Sequence, residues 1–226
     1  MVMINVDQVQ TWSHRRIYEI MREQINRLER APGTQLHLEE LAERYGVEVA
    51  TVQEATLKLL SEGIVEEAFK GYRVIQFDQT FISQIYVVRR ALELACLRSV
   101  SANWDYDALE DLCQTWTAVR SSHELNPLNF EHYLTIDSAF HQRIARMSGN
   151  TPMIWSVEKI MWMSTLIWRW HYAENQCHES VATMANEHVV VLDALLARDI
   201  DAALVALDGH LMREHNSLIA IFEIRA

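Results

Sequence analysis

Four side chains in the second half of the sequence have the chemistry of metal ligands. Asp137 and His141 are four residues apart in a segment with helical apolar spacing, so both side chains fall on one helical face. His188 lies on a later predicted helix and His210 on the last one. Three imidazoles and a carboxylate that point into a helical bundle can bind a divalent transition metal such as zinc, nickel or manganese.

The same four residues also have a simpler interpretation. The chain has 10 histidines, and a histidine on a helix is usually a surface or core residue. His188, taken alone, could equally pair with a nearby carboxylate at the surface. Spacing by itself therefore leaves metal binding open.

Two arginines are candidates for binding an organic acid, because a guanidinium group can hold a carboxylate through two hydrogen bonds. Arg89 lies on the first predicted helix of the second half, on an interior face that we expect to be otherwise apolar. An ion pair with Glu93, one helical turn later, is the alternative for Arg89. Arg169 lies between Trp168 and Trp170, and its alternative is a solvated side chain whose stem covers an indole ring.

Long helical periods with few glycines predict the scaffold for these residues. Breaks at Asn126-Pro127, Gly149-Asn150 and Arg198-Asp199 separate the segments. We therefore expect residues 79–226 to form an all-α bundle of six to seven helices. The predicted helices span about 81–102, 105–122, 127–148, 152–174, 179–197 and 200–223.

Residues 1–78 alternate shorter elements. Helices are predicted at about Val9–Leu28, Leu38–Tyr45 and Ala50–Ser61, followed by a β-hairpin made of IVEEAF and YRVIQF. Three helices and such a hairpin predict a winged helix-turn-helix. The expected fold class is thus mainly α, with an N-terminal winged helix and a helical second domain.

Composition favours a protein of the cytoplasm. The three cysteines form no CxxC pair, which argues for a reducing compartment, and we find no signal peptide or membrane span.

The net charge is −11, which argues against nucleic acid as a partner. Residues 1–78 have nine Lys/Arg against thirteen Asp/Glu, and residues 79–226 eleven against eighteen, so neither half is basic.

Several motifs nevertheless resemble one family of bacterial regulators. PGTQL, LAERYGV, LKLLSEGIVE and KGYRV resemble the winged helix of GntR-type transcription regulators. RRALELA at 89–95, DSAFHQRIARMSGN at 137–150, EHVVVLDALLARD at 187–199 and a late His210 resemble the helical FCD domain of its FadR-like branch. The two halves in this order are more specific than either motif alone.

The resemblance implies a function. It implies a homodimeric transcription regulator, not an enzyme, that binds double-stranded operator DNA and responds to a small organic acid. It also assigns a divalent transition metal, zinc with nickel or manganese as alternatives, to Asp137, His141, His188 and His210. Coordination positions would remain open for the carboxylate of the effector, with Arg89 and Arg169 as further effector contacts.

The DNA contacts depart from the family pattern. The family usually has a serine-arginine pair and a second arginine where this chain has Glu48, Val49 and Gln53. Base reading would fall to Thr51 and Gln53. The candidates for phosphate contacts, each of which could instead be an ordinary solvated charge, are Arg15, Arg44, Lys58, Lys70 and Arg73.

Two other functions stay open at this stage. A His₃Asp site with an open position can activate water, which would suit a metal-dependent enzyme in the helical half. No motif, however, places a nucleophile or a separate base beside the ligands. The acidic first half favours a third interpretation, a ligand-binding module whose winged helix has lost DNA binding.

Overall fold

The fold consists of two compact units that meet in sequence after Phe77. The computed structural model describes residues 13–100, 104–121, 127–175 and 181–224. Within these ranges, no helix combines the length and the apolar character of a membrane span.

The first unit contains three helices and a small sheet. In chain order its elements are α1 (His14–Asn26), β1 (Gln35–Leu36), α2 (Leu38–Tyr45), α3 (Val49–Ser61), β2 (Val65–Glu67) and β3 (Tyr72–Val74). The antiparallel strand order is β1-β3-β2, so the predicted wing is confirmed and gains β1 as a third strand. Residues 9–12 of the predicted first helix lie outside the described residues.

Local sequence explains the helix-turn-helix. The Ser13 hydroxyl caps α1 by accepting from the Arg16 N–H, and Gly46 ends α2 with φ 63°. That left-handed conformation suits glycine, which lacks a Cβ. The apolar stripe of α1, including Ile17 and Ile25, is buried, as is Leu59 of α3, and the two helices pack together.

The second unit is helical throughout its described residues. Its elements are α4 (Gln79–Arg98), α5 (Tyr106–Arg120), α6 (Pro127–Met147), α7 (Thr151–Asn175), α8 (Val181–Leu196) and α9 (Ile200–Ile224). The predicted six-helix arrangement is confirmed, with most helix ends within a few residues of the predicted ones. Positions 101–102, 122 and 179–180 of the predicted helices lie outside the described residues.

The helix α6 lies where the site is built. It packs against α4 and α7, while α8 packs against both α5 and α9. The apolar residues Ile136, Phe140 and Ile144 of α6 are buried, and so are Asp137 and His141 on the adjacent stripe of the same helix. The bundle therefore holds charged side chains inside its core.

Candidate metal centre

Asp137, His141, His188 and His210 come together in the interior of the helical unit. One ligand atom from each residue lies within 4.8 Å of every other. The four residues are between 0% and 4% exposed. Burying this many polar groups is costly unless they are hydrogen-bonded or bind an ion.

The contacts among the four residues show how the ligand atoms converge. The Nε2 atom of His188 lies 3.0 Å from Oδ1 of Asp137, and Nε2 of His141 lies 3.6 Å from the same oxygen. The Nε2 atoms of His141 and His210 are 3.4 Å apart. Three Nε2 atoms and one carboxylate oxygen therefore face a common point.

The Nδ1 atom of each imidazole faces outward to a different partner. His141 contacts Oε2 of Glu93 at 2.5 Å, and His210 contacts Oε2 of Glu187 at 2.9 Å. His188 donates to the carbonyl oxygen of Met184 at 2.8 Å. An acceptor at Nδ1 holds the proton there and leaves the Nε2 lone pair for a metal, which is the usual second-layer arrangement around metal-binding histidines.

Charges around the cluster shift its pKa values in opposite directions. Burial would raise the pKa of Asp137, but the charge of His141 and the nearby imidazoles of His141 and His188 hold it well below its ordinary value. Burial lowers an imidazole pKa, yet the Glu93 carboxylate, with Asp137, raises the pKa of His141 to about 9. Burial and repulsion from His210 lower the pKa of His188 to about 4. Thus His188 is neutral at pH 7, whereas the ion-free His141 is protonated.

Aromatic rings fix the position of His188. Trp116 of α5 stacks on its ring at a centroid distance of 3.7 Å and an interplanar angle of 4°. Phe140 contacts the same imidazole edge-on at 4.7 Å. These contacts restrict the ring before any ion binds.

Arg89 is placed in a buried network beside the cluster rather than on an otherwise apolar face, so that part of the sequence prediction was wrong. Its Nε donates to Glu93 at 2.7 Å, and its Nη1 donates to Glu214 at 2.7 Å and to Ser164 at 2.9 Å. The i,i+4 pair with Glu93 is therefore present, and Glu93 links Arg89 to His141. The Nη2 atom of Arg89 is buried without a hydrogen-bond partner among the described residues.

Arg169 of α7 pairs with a carboxylate of α6. Its Nε and Nη2 atoms each donate to a carboxylate oxygen of Glu131 at 2.8 Å. Any anion would have to compete with this two-pronged contact. A role of Arg169 in effector binding stays a prediction, as does that of Arg89.

A cavity of about 290 Å³ lies against the cluster. His210 and Glu214 line one part of it, and Tyr133, Arg213 and Asn216 line other parts. Neither Arg89 nor Arg169 lines the cavity. The arginine in its lining is Arg213, which donates to Glu187. Sequence reasoning missed this position.

Three acidic residues around the cluster were also missed as site residues. Glu93 had a usable signal, since it follows Arg89 by one turn on a face predicted to point inward. Glu187 is adjacent to His188 in sequence, and because adjacent helical side chains diverge, the sequence gives no reason to place both at one site. That divergence instead directs Glu187 towards His210. Glu214 follows His210 by one turn, a spacing that could have identified it.

In the first unit, several predicted phosphate contacts already have partners within the chain. Arg15 pairs with Glu19, and Arg73 pairs with Glu66 at 2.7 Å. The Lys58 ammonium lies 3.8 Å from the centroid of the Tyr18 ring. The predicted base-reading and remaining phosphate-contacting residues are exposed or half-buried: Arg44, Thr51, Gln53 and Lys70.

Two family models match the chain. The FCD domain model matches residues 84–213. The model described as bacterial regulatory proteins, gntR family, matches residues 13–70. The first match spans the helices that hold the four candidate ligands, and the second spans the helix-turn-helix and the start of the wing.

Individual proteins are similar over most of their length. An HTH-type transcriptional regulator from an unstable DNA locus of Streptomyces ambofaciens is 29% identical over 205 residues, covering 88% of this chain and 82% of that protein. The HTH-type transcriptional repressor RspR of Escherichia coli K12 is 24% identical and covers 91% and 88%. The solved structure of Escherichia coli McbR/YncC has a TM-score of 0.71 at 17% identity, covering 92% of this chain and 98% of that one. That last likeness concerns the fold.

Proposed function

Because this chain belongs to the GntR family of bacterial regulatory proteins and has an FCD domain, it is a DNA-binding transcription regulator, and we propose that its helical unit is a metal-dependent sensor of a small carboxylate. A change in that unit on effector binding would alter the affinity of the winged helix for operator DNA. We further propose that the regulator acts as a homodimer.

The observation that carries the proposal is the buried His₃Asp cluster with its outer partners. Four ligand atoms lie within 4.8 Å of one another, and the Nδ1 atoms of His141, His188 and His210 each contact an acceptor. The Nε2 atoms of His141 and His210 face each other at 3.4 Å, and both side chains are buried. Such a contact is easier to explain if the site is built for a cation.

The donor set fits a divalent transition metal held by Asp137, His141, His188 and His210. Three imidazoles and one carboxylate are typical ligands for zinc, nickel or manganese. When bound, such an ion would supply Lewis-acid positions for a carboxylate. The chain's own contribution is to fix the imidazoles, keep His188 neutral and hold Asp137 ionised.

The cavity beside His210 is the proposed effector site. It borders one of the candidate ligands and contains a cation, an amide and an aromatic ring, from Arg213, Asn216 and Tyr133. Its volume of about 290 Å³ suits a small organic acid. Arg89 lies behind Glu214, so we expect it to act on the effector through that carboxylate.

Metal analysis of the purified full-length protein tests the centre. We expect about one divalent transition metal per chain after mild dialysis, and its loss in Asp137→Ala and His188→Ala. His132→Ala removes an exposed imidazole from the same helix and serves as the matched control, since it should retain the metal. Equal metal content in all four proteins would refute the site.

Calorimetry with a panel of hydroxy-, keto- and dicarboxylic acids tests the sensor. We expect binding by the metal-loaded protein and none after chelation. Equal binding by the chelated protein would show that the metal does not contact the effector. It would not refute the proposed metal centre.

A further inference from the structure

The first unit exposes large apolar side chains on the elements that face DNA in a winged helix. Among residues 13–77, the strongly exposed ones are Val49 at 39%, Leu57 at 44% and Phe69 at 100%. Val49 and Leu57 belong to α3, and Phe69 lies between β2 and β3. Scattered exposed apolar residues are ordinary, but these three coincide with the recognition helix and the wing.

On α3 the exposed residues form a single ridge. Val49, Gln53 and Leu57 follow each other at intervals of four residues, so they lie along neighbouring turns of one face. Val49 is the first residue of the helix. The residues of a recognition helix that reach base edges in the major groove lie on one face, from its N-terminal turn onward.

Phe69 is held out by a tight turn. The Ala68 N–H donates to the Gly71 carbonyl at 2.9 Å, which leaves Phe69 and Lys70 as the two residues of the hairpin loop. Gly71 has φ 78°, and the Gln35 side chain donates to the Lys70 carbonyl. The sheet therefore braces a turn that presents one aromatic ring next to one ammonium group.

DNA offers two kinds of apolar target for such a surface. The C5-methyl group of thymine lines the major groove and accepts apolar contacts. An apolar wedge can partly unstack a base step from the minor groove, most easily at flexible steps such as TA. The first target selects A·T base pairs, and the second favours pyrimidine–purine steps, of which TA consists of A·T pairs alone.

We propose that this regulator recognises an A·T-rich operator by apolar contacts, with Val49 and Leu57 against thymine methyl groups and Phe69 against an unstacked base step. The inference rests on the DNA-binding role of the family. Gln53, between the two aliphatic residues, is then placed to pair with adenine. The ridge has no arginine for guanine, and the nearby Lys58 is engaged by Tyr18.

Selection from a random-sequence duplex library with the full-length protein at low salt gives the probe DNA. We expect the enriched sites to be A·T-rich and to contain a TA step. Replacing contacted thymines by uracil removes only the methyl group and should weaken binding by about fourfold for each methyl. Uracil placed outside the selected site is the matched control and should have no effect.

Four variants assign the contacts. Val49→Ala and Leu57→Ala should each make binding insensitive to uracil at one position while retaining sensitivity at the other. When 2-aminopurine replaces the adenine of the TA step, unstacking of that step should raise its fluorescence. Phe69→Ala should weaken binding and abolish this rise. Phe69→Leu, which retains an apolar wedge, should preserve most of the affinity and most of the fluorescence rise.

The outcomes separate this inference from the DNA-binding role. Enrichment of G·C-rich sites, or uracil substitution without effect, would overturn the apolar readout and leave DNA binding intact. Failure to enrich any sequence at low salt would overturn both. Uracil sensitivity that persists unchanged in Val49→Ala and Leu57→Ala would assign the methyl contacts to other residues.

Discussion

At the residue scale, His141 couples metal binding to pH. Glu93 contacts its Nδ1 atom and Asp137 lies near its Nε2 atom, so the imidazole is a favourable site for a proton when no ion is present. His188 differs, because burial and repulsion from His210 keep its pKa near 4. A metal ion must therefore displace a proton from His141 but not from His188 at neutral pH.

This difference predicts how metal affinity varies with pH. Since the pKa of His141 is raised to about 9, protons compete with the ion below that pH. We expect affinity to increase about tenfold per pH unit between roughly pH 5 and 8 and to level off near pH 9. Calorimetry in buffers of different ionisation enthalpy should show about one proton released per ion at pH 7.

Glu93→Gln is the informative variant for this coupling. The glutamine oxygen still accepts from Nδ1 but no longer stabilises the imidazolium by charge, so the levelling-off should move to lower pH. Affinity that does not change with pH in the wild type, without proton release, would show that His141 is already neutral in the ion-free protein.

Sequence reasoning grouped the four candidate ligands, which the structure brings together, but not the carboxylates around them. The i,i+4 spacing placed Asp137 and His141 on one face, and the family resemblance selected His188 and His210 from the other histidines. Glu187 was not predicted as a site residue, because its contact with His210 depends on how α8 and α9 pack. Helix packing brings together residues that no sequence interval relates.

At the scale of elements, the buried polar network around Arg89 connects four helices. Its guanidinium on α4 donates to Ser164 of α7 and to Glu214 of α9, while Glu93 of α4 contacts α6 through His141. The pKa of Arg89 is raised well above its ordinary value, since the two glutamates outweigh the opposing effect of burial. The helix that follows the first unit in sequence is thus tied to the site through charges.

Removing this guanidinium should be costly. Arg89→Met leaves Glu93 and Glu214 buried with one counter-charge fewer, and we expect a loss of about 3–5 kcal/mol in the free energy of unfolding. Arg90→Met, which breaks the half-exposed pair with Asp208, is the matched control and should cost less than about 1 kcal/mol. Urea denaturation of the metal-free proteins measures both, and similar losses for the two variants would argue against a structural role specific to Arg89.

The wing offers a second prediction at this scale. Lys70 lies in its turn, whereas Arg73 on β3 is paired with Glu66 on β2. A cation that already has a carboxylate partner displaces fewer counter-ions when it meets a phosphate. We expect Lys70→Ala to reduce the slope of log affinity against log salt by about one per chain, and Arg73→Ala to reduce it less. Equal reductions in fluorescence-anisotropy titrations would mean that Arg73 leaves Glu66 on binding.

The elements themselves were largely predictable. Apolar periods and breaks at Gly46, Gly149 and Pro127 located the helices to within a few residues, because these signals are local. The two-residue strand β1 was missed, since it pairs with β3 across a long sequence separation and has no alternating pattern of its own. Which side chains cross between helices in the core could not be read from helical periods.

At the scale of the whole molecule, the net charge of −11 has to be reconciled with binding a polyanion. Each winged helix brings few unpaired cations, and long-range repulsion from the rest of the chain opposes approach to DNA. Two chains acting together would double the specific contacts with the operator, while each chain would meet the same repulsion from DNA. The homodimer proposed above would in this way bring a second set of contacts to the operator.

Dimerisation is accordingly the prediction on which the regulatory mechanism depends. Reading two half-sites one helical turn apart requires two linked winged helices. We expect light scattering at micromolar concentration to give twice the chain mass of 26.3 kDa, and the affinity for a site with both halves to far exceed that for one half. A monomer at these concentrations, with equal affinity for half and whole sites, would leave each chain to bind alone and would contradict the mechanism.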